Sequence, residues 1–531
     1  MQNHLSGVEL GYHLPDGFSL FTSLTFSFSA VRTGLVGPNG IGKTTLLEIL
    51  AERLIPSQGS FTRCGRISYL PQMVAFAPEA TVAEAIHLAD KITAYERIAQ
   101  GEGSMRDFEL VEDCWDLPER VEMILTKLGV AYIDVHQPIA NLSGGELTRV
   151  RIASLLLEEP DFLILDEPTN HLDLAAREFV YDLVASWKKG LIVVSHDRRL
   201  LAAVDQIAEL EPRGLKFYGG NFEFYREQRR IERAAAEHAL NSAQQRLKEA
   251  KVIAQRSRER QERRASAGQK KGIKQNLPKI VAGGLQRAAE NTAGRVNDRH
   301  ERKVDQVKQE MAAARQQLSI EHQIIVDLEQ PRVPAHKRMV ELLEVNYRYP
   351  QAARWLWNAP LNLDVIGPER VWLKGPNGSG KSTLIDLMCG RKTPTTGCVK
   401  VGAQRIGLLD QQVSVLDDSL TILENLKRVA PLRPEHELRT LLGRFLFYRD
   451  AVFKPVAVLS GGERVRAGLA CLLGSDQAPE LLVADEPTNN LDLTSVEEVA
   501  SALKGFRGAL IVVSHDVTFL DEIGIERVVE L

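Results

Sequence analysis

The 531 residues predict an α/β protein: two similar domains, each with a mostly parallel sheet covered by helices, joined by an antiparallel two-helix linker. Three observations carry this expectation. One glycine-rich loop occurs twice, each time after an apolar strand and before a helical stretch. The same four short motifs follow each copy in the same order, so the chain contains an internal repeat. Between the copies, apolar residues recur at steps of three and four, the spacing of a helical seam. Strands that alternate with helical patterns build parallel sheets, and such sheets place ligands at the C-terminal ends of their strands.

The first domain is expected over residues 1–220. Apolar Leu35 and Val36 enter the loop Gly37, Pro38, Asn39, Gly40, Ile41, Gly42, Lys43, Thr44, and Thr45 opens a helical stretch over 45–51. A second buried strand leads to Asp166 and a third to His196. The second domain is expected over 338–531. There Val371, Trp372 and Leu373 enter Gly375, Pro376, Asn377, Gly378, Ser379, Gly380, Lys381, Ser382, a helical stretch runs over 383–388, and strands precede Asp485 and His515.

Residues 221–337 read as the linker. Ala236, Leu240, Ala243, Leu247, Ala250 and Ala254 mark the outgoing helix, and Val304, Val307, Met311, Ala314, Leu318, Ile325 and Leu328 the returning one. Gly268, Gly272, Pro278, Gly283 and Gly284 are expected to interrupt the helix and mark the tip, and Pro331 and Pro334 to end the hairpin. The two domains also differ in length: 71 residues separate Gln72 from Ser143, but 49 separate Gln411 from Ser460. The surplus, around residues 87–118, gathers Asp107, Glu109, Glu112, Asp113 and Asp116 about Trp115. Such an acidic insertion repels phosphates; it suits a basic protein partner or decorates the surface.

Composition narrows the function. Hydrophobic content of 44% and charged content of 26% describe an ordinary globular chain, and its longest apolar runs are strand-length, far short of the roughly 20 residues that cross a bilayer. The N-terminus lacks the charged and apolar blocks of a signal peptide, so a cytoplasmic location is expected. Five cysteines form no CxxC pair, which favours reduced thiols over disulfides or zinc. The net charge of −4 hides a basic stretch: from Lys251 to Arg295 there are twelve basic and three acidic side chains.

The repeated loop has the spacing of a P-loop. Its backbone N–H groups can wrap the β- and γ-phosphates of a nucleotide, helped by the positive end of the helix that follows, and Lys43 and Lys381 add a point charge. Thr44 and Ser382 supply a hydroxyl for Mg²⁺, and Asp166 and Asp485 hold the metal's shell. The next residues, Glu167 and Glu486, are placed to polarise an attacking water.

With these residues in place, the chain resembles the ATP-binding cassette. Gln72 and Gln411 match its Q-loop, and Leu142-Ser-Gly-Gly-Glu146 and Leu459-Ser-Gly-Gly-Glu463 its signature. Asn170-His-Leu-Asp173 and Asn489-Asn-Leu-Asp492 match the D-loop, and His196 and His515 the switch histidine. Two cassettes joined by a long charged helical linker resemble the ABC-F family in particular. That resemblance implies ATP and Mg²⁺ as ligands, ATP hydrolysis with Glu167, Glu486, His196 and His515 as catalytic residues, and Gln72 and Gln411 beside the metal. It further implies head-to-tail closure, so that Ser460, Gly461 and Gly462 complete the site of Lys43, and Ser143, Gly144 and Gly145 the site of Lys381. Tyr12 and Tyr347 become candidates to stack on adenine.

By the same resemblance the partner is the ribosome, with the linker approaching tRNA and rRNA near the peptidyl-transferase centre, the acidic insertion facing a basic ribosomal protein, and the protein acting as a monomer whose own cassettes pair. Lys270, Lys271, Lys274 and Lys279, flanked by Arg263, Arg264 and Arg287, are the residues expected to meet phosphates. An antibiotic-resistance factor that protects the ribosome is the alternative within this family. The ATPase subunit of a membrane transporter or of a DNA-repair complex is the alternative outside it.

Overall fold

The computed structural model describes residues 4–15, 17–72, 79–112, 114–170, 172–211, 214–274, 299, 302–312, 333–350 and 354–531. By internal contacts the chain divides into two units, one of residues 1–223 with 322–531 and the other of residues 224–321.

The first unit contains two cassettes of the same plan. In the first, a six-stranded sheet runs in the order Ile67–Leu70, Phe162–Asp166, Gly190–Val194, Arg32–Val36, Gln206–Glu211, Gly214–Gly219. All its pairs are parallel except the last, where Gln206–Glu211 and Gly214–Gly219 form a hairpin. The second cassette repeats this as five parallel strands in the order Ile406–Leu409, Leu481–Asp485, Ala509–Val513, Arg370–Lys374, Arg527–Glu530. Every residue of Phe162–Asp166, Gly190–Val194, Leu481–Asp485 and Ala509–Val513 is buried. Covering both faces of a parallel sheet produces that result, and it explains why these strands read as unbroken apolar runs.

The two faces of the sheet bury different partners. In the second cassette Leu481, Val483 and Ile511 point into one core with Leu384, Leu387 and Met388 of the helix Lys381–Met388 and with the antiparallel strands Arg338–Asn346 and Leu361–Ile366. Leu482, Ala484 and Val512 point into the other, with the helices Ile422–Val429, Glu435–Arg444 and Gly461–Gly474. Alternation along a strand sends neighbours to opposite faces. Ala484 therefore sits fully buried among these helices.

The long segment between Gln72 and Ser143 contains two added helices, Ala89–Ala99 and Met105–Val111, before the helix Leu117–Lys127. Asp107 is engaged in a capping box with Ser104, and hydrogen bonds from Ser104 hold its carboxyl below the usual carboxylate range. That acid serves its own helix. Trp115 remains 49% exposed and packs near Phe108, ring centroids 6.2 Å apart. Asp113 lies outside the described residues.

In the second unit the helix Phe222–Lys274 continues without interruption for 53 residues, about 80 Å at 1.5 Å per residue. This corrects the expectation at Gly268 and Gly272: both lie inside the helix. A helical glycine costs roughly 1 kcal/mol, which flanking alanines, glutamines and lysines can offset. Residues 302–312 are also helical, and Arg246 lies 3.9 Å from Glu310, while Ala243, Ala250 and Val307 are buried. Lys279, Arg287, Pro278, Gly283, Gly284, Ala314, Leu318, Ile325, Leu328 and Pro331 lie outside the described residues, as do the side chains of Arg264, Lys270, Lys271 and Lys274. Among the described residues, no helix is long and apolar enough to cross a membrane.

Candidate nucleotide sites

Each glycine loop joins the C-terminal end of a central strand to a buried helix, so the helix N-terminus points out of the sheet edge. Gly42 and Gly380 cap these helices at φ 102° and 94°, a left-handed conformation that L side chains rarely adopt. The helices begin at Lys43 and Lys381, two residues earlier than the apolar pattern suggests. Both lysines are buried and turn back over their loops. Lys43 Nζ donates to the carbonyls of Gly37 at 2.7 Å and Pro38 at 3.2 Å, and Lys381 Nζ to those of Gly375 at 2.8 Å and Pro376 at 2.9 Å. Burial pushes both ammonium groups down from their ordinary range.

Carboxylates close the other side. Ser382 Oγ lies 3.3 Å from Asp485, and Thr44 bonds to Asp166, which also lies 3.5 Å from the Tyr69 hydroxyl. Burial pushes both aspartates up. Glu167 and Glu486 follow with φ 49° and 51°, the same left-handed strain in both copies. In both copies the histidine meets the glutamate: His196 Nε2 is 3.3 Å from Glu167 and His515 Nε2 is 3.3 Å from Glu486. Burial moves acid and base toward their neutral forms. It raises Glu167 and takes Glu486 up to about 7, and it takes His196 down to about 3 and His515 to about 4.

These groups line two cavities of about 370 and 350 Å³, a size typical of small-ligand sites. Asn39, Gly40, Gly42, Lys43, Thr44, Thr45, Gln72, Asp166, Glu167 and His196 line the first. Asn377, Gly378, Gly380, Lys381, Ser382, Thr383, Gln411, Asp485, Glu486 and His515 line the second. Each cavity also takes a wall from the opposite cassette: Asn490 enters the first and Arg177 the second. Across the same interface Asn39 N donates to Asp492 Oδ2 at 3.1 Å, and Asn39 Nδ2 to the Asn490 carbonyl at 3.0 Å.

The remaining expected residues stand elsewhere. Ser143 and Ser460 cap the helices Gly144–Leu157 and Gly461–Gly474, accepting from Glu146 N and Glu463 N at 3.3 Å, and neither they nor the adjacent Gly144, Gly145, Gly461 and Gly462 line the cavities described. Tyr12 and Tyr347 pack against the two cores; Leu14 and Tyr349, two residues further on, line the cavities instead. Tyr349 sits edge-on to Tyr347 and bonds Thr383 Oγ1 at 2.6 Å. Residues two apart share a face only while a strand continues; the strands end at His13 and Asn346, so Leu14 and Tyr349 lie in the turns that follow, where that rule no longer places side chains. Arg177 carried no motif signal, although its counterpart in the second repeat, Val496, makes it an oddity on inspection.

A twin set of phosphate-binding loops, each facing an Asp–Glu pair and a histidine, defines a nucleotide-binding protein with two sites at a shared interface. The family described as ABC transporter matches residues 22–170 and 359–489. The chain is 31% identical over 536 residues to the "Energy-dependent translational throttle protein EttA" of Mycobacterium tuberculosis, covering 94% of this chain and 87% of that one. It is 30% identical to the "Tylosin resistance ATP-binding protein TlrC" of Streptomyces fradiae, over 91% and 89% of the two chains, and to "ABC transporter F family member 4" of Arabidopsis thaliana, over 93% and 69%. In fold it is similar to the solved "RNase-L Inhibitor", with TM-score 0.57 at 20% identity over 97% and 86%. The chain belongs to the ABC-F family of twin ATP-binding cassette proteins. It binds ATP and is an ATPase.

Proposed function

We propose that this protein is a cytoplasmic ribosome-associated ATPase of translation, in which ATP binding closes the cassettes, favouring ribosome engagement, and hydrolysis releases the factor. It acts as a monomer, with one cassette over 1–220, the linker over 221–337 and the other cassette over 338–531. The observation that carries the reading is the pair of cavities at the cassette interface, each lined by both cassettes, so that a nucleotide in either would be held between them. Relatives named for a translational throttle and for tylosin resistance support translation as its setting.

Within each site, Lys43 or Lys381 would meet the phosphates, and Glu167 or Glu486 would accept the proton of the attacking water while His196 or His515 orients it. Buried Asp166 Oδ1 has no hydrogen-bond partner within the protein. With a Thr or Ser hydroxyl and a Gln beside each aspartate, this is a hard oxygen donor set suited to Mg²⁺. The described residues hold no group of three or more His, Cys, Asp or Glu able to cage a metal, so Thr44, Gln72 and Asp166, or Ser382, Gln411 and Asp485, would share it with the nucleotide's phosphates. Bound there, Mg²⁺ would neutralise charge developing on the phosphoryl oxygens. On head-to-tail closure, the helix N-termini at Ser143 and Ser460 would present their N–H groups to the phosphates in the opposite site.

The elevated carboxyls set a pH dependence. A protonated glutamate cannot accept the water's proton, so kcat/KM should rise with pH, first near 7 as Glu486 ionises and further as the higher Glu167 follows. Initial rates from pH 6 to 9 check this; a flat profile would contradict the assignment of both bases.

The linker contributes the RNA-facing end. A photo-crosslinker placed at Lys279 is expected to capture rRNA or tRNA in cells, through contacts to phosphate and shape more than to bases. Capture of membrane proteins alone, or of chromosomal DNA, would overturn the ribosomal reading. Similarity to TlrC favours a second reading, protection of the ribosome against antibiotics. Growth on a panel of ribosome-targeting drugs, with and without expression, separates the two: protection against one chemical class marks resistance.

A further inference from the structure

The two nucleotide sites share their motifs but not the walls they receive from the opposite cassette. Arg177 lies in the helix Leu174–Ser186 of the first cassette, four residues beyond Asp173, and lines the second cavity with Glu486 and His515. The matching position of the second cassette, four residues beyond Asp492, is Val496. Arg177 is 8% exposed and tethered to its own cassette: Nε donates to the Leu172 carbonyl at 3.1 Å, and Nη1 lies 3.5 Å from Asp197 Oδ2. Asp197 in turn accepts the Tyr181 hydroxyl and caps the helix Arg198–Ala202. From this anchored position, Arg177 Nη1 also comes within 3.5 Å of the His515 carbonyl oxygen, across the interface.

The capping aspartate repeats as Asp516, but the arginines and the tyrosine do not. Where the first cassette has Arg177, Tyr181 and Arg198, the second has Val496, Ala500 and Val517. Arg198 crosses in the same direction, with Nη1 2.6 Å from Glu522 and Nη2 3.7 Å from Glu497. Two buried guanidinium groups thus reach from the first cassette to the second, and Arg177 alone of the two lines the nucleotide cavity.

We propose that Arg177 is a cross-cassette positioning residue for the second nucleotide site, holding the backbone of His515 from the opposite cassette and making the two sites turn over inequivalently. Burying a guanidinium is costly unless its donors find acceptors, and a planar fork already fixed at two points loses little entropy on meeting a third. The His515 backbone sets the imidazole that faces Glu486 at 3.3 Å. A shift of about 1 Å in such a group can cost on the order of 10²-fold in rate. Valine at 496 offers the first site no equivalent contact.

The inference rests on the assignment of Glu167 and Glu486 as the hydrolytic residues. First-turnover ADP formation by the full chain tests it in two backgrounds: Glu167→Gln, in which the second site alone hydrolyses, and Glu486→Gln, in which the first alone does. Arg177→Val is expected to slow the first turnover about tenfold or more in the Glu167→Gln background and to leave the Glu486→Gln background within about twofold, with Arg177→Lys recovering part of the loss. Equal slowing in both backgrounds would show a merely structural role, and no slowing at the second site would remove the role altogether; either overturns the proposal. Should the valine variant fail to fold, Arg177→Lys read in the same two backgrounds decides by the same criterion. Failure of the underlying assignment would show separately, as full two-site ADP yield from the single glutamine variants before Arg177 is changed.

Discussion

Replacing Glu167 and Glu486 together by glutamine is expected to slow ATP turnover by about 10² to 10⁴-fold, the usual contribution of a positioned general base, while ATP still binds. Glutamine keeps the shape of the side chain and cannot accept the water's proton. Folding should tolerate the change well. Both carboxyls are already pushed toward their neutral form by burial, and Glu486 Oε2 finds no hydrogen-bond partner within the protein. Phosphate release measured beside nucleotide binding checks both halves. Residual turnover within a few-fold of the parent would place the base elsewhere.

Lys43→Ala with Lys381→Ala is expected to fail one step earlier, at binding. Each ammonium is buried, holds two loop carbonyls in the structure, and lies where a phosphate would replace them as partner. A charged hydrogen bond of this kind is worth about 1.5–3 kcal/mol, so ATP affinity should fall roughly 10 to 150-fold at each site. Equilibrium titration with a fluorescent ATP analogue reads the loss. Removing these lysines also frees loop carbonyls that water can reach, so thermal unfolding should change little beside the loss of binding. Unchanged affinity at both sites would mean that the loops do not hold the nucleotide through these groups.

The duplicated plan was legible because the groups that define it sit next to glycines or at strand ends. Gly42 and Gly380 must turn left-handed before a helix, and Asp166 and Asp485 end strands that read as pure apolar runs. Both are local signals. What the sequence hid depends on tertiary placement. Leu14 and Tyr349, not Tyr12 and Tyr347, line the cavities because they lie past the ends of their strands, where the path of the turn decides which side chain faces the site. Gly268 and Gly272 stayed inside a 53-residue helix because two weak helix formers do not outweigh their neighbours. Arg177 and Asn490 entered the sites from the opposite cassette, and no local pattern encodes a contact made 338 residues away, as between Arg177 and His515.

The proposed ribosomal cycle has one premise, that nucleotide draws the cassettes together and that this closure governs association. The fraction of the Glu167→Gln, Glu486→Gln variant that co-sediments with ribosomes, compared in ATP and in ADP at the same salt, tests it most directly. Closure by bound ATP predicts strong enrichment in the ribosomal fraction with ATP and little with ADP. Equal partitioning in the two nucleotides would contradict it.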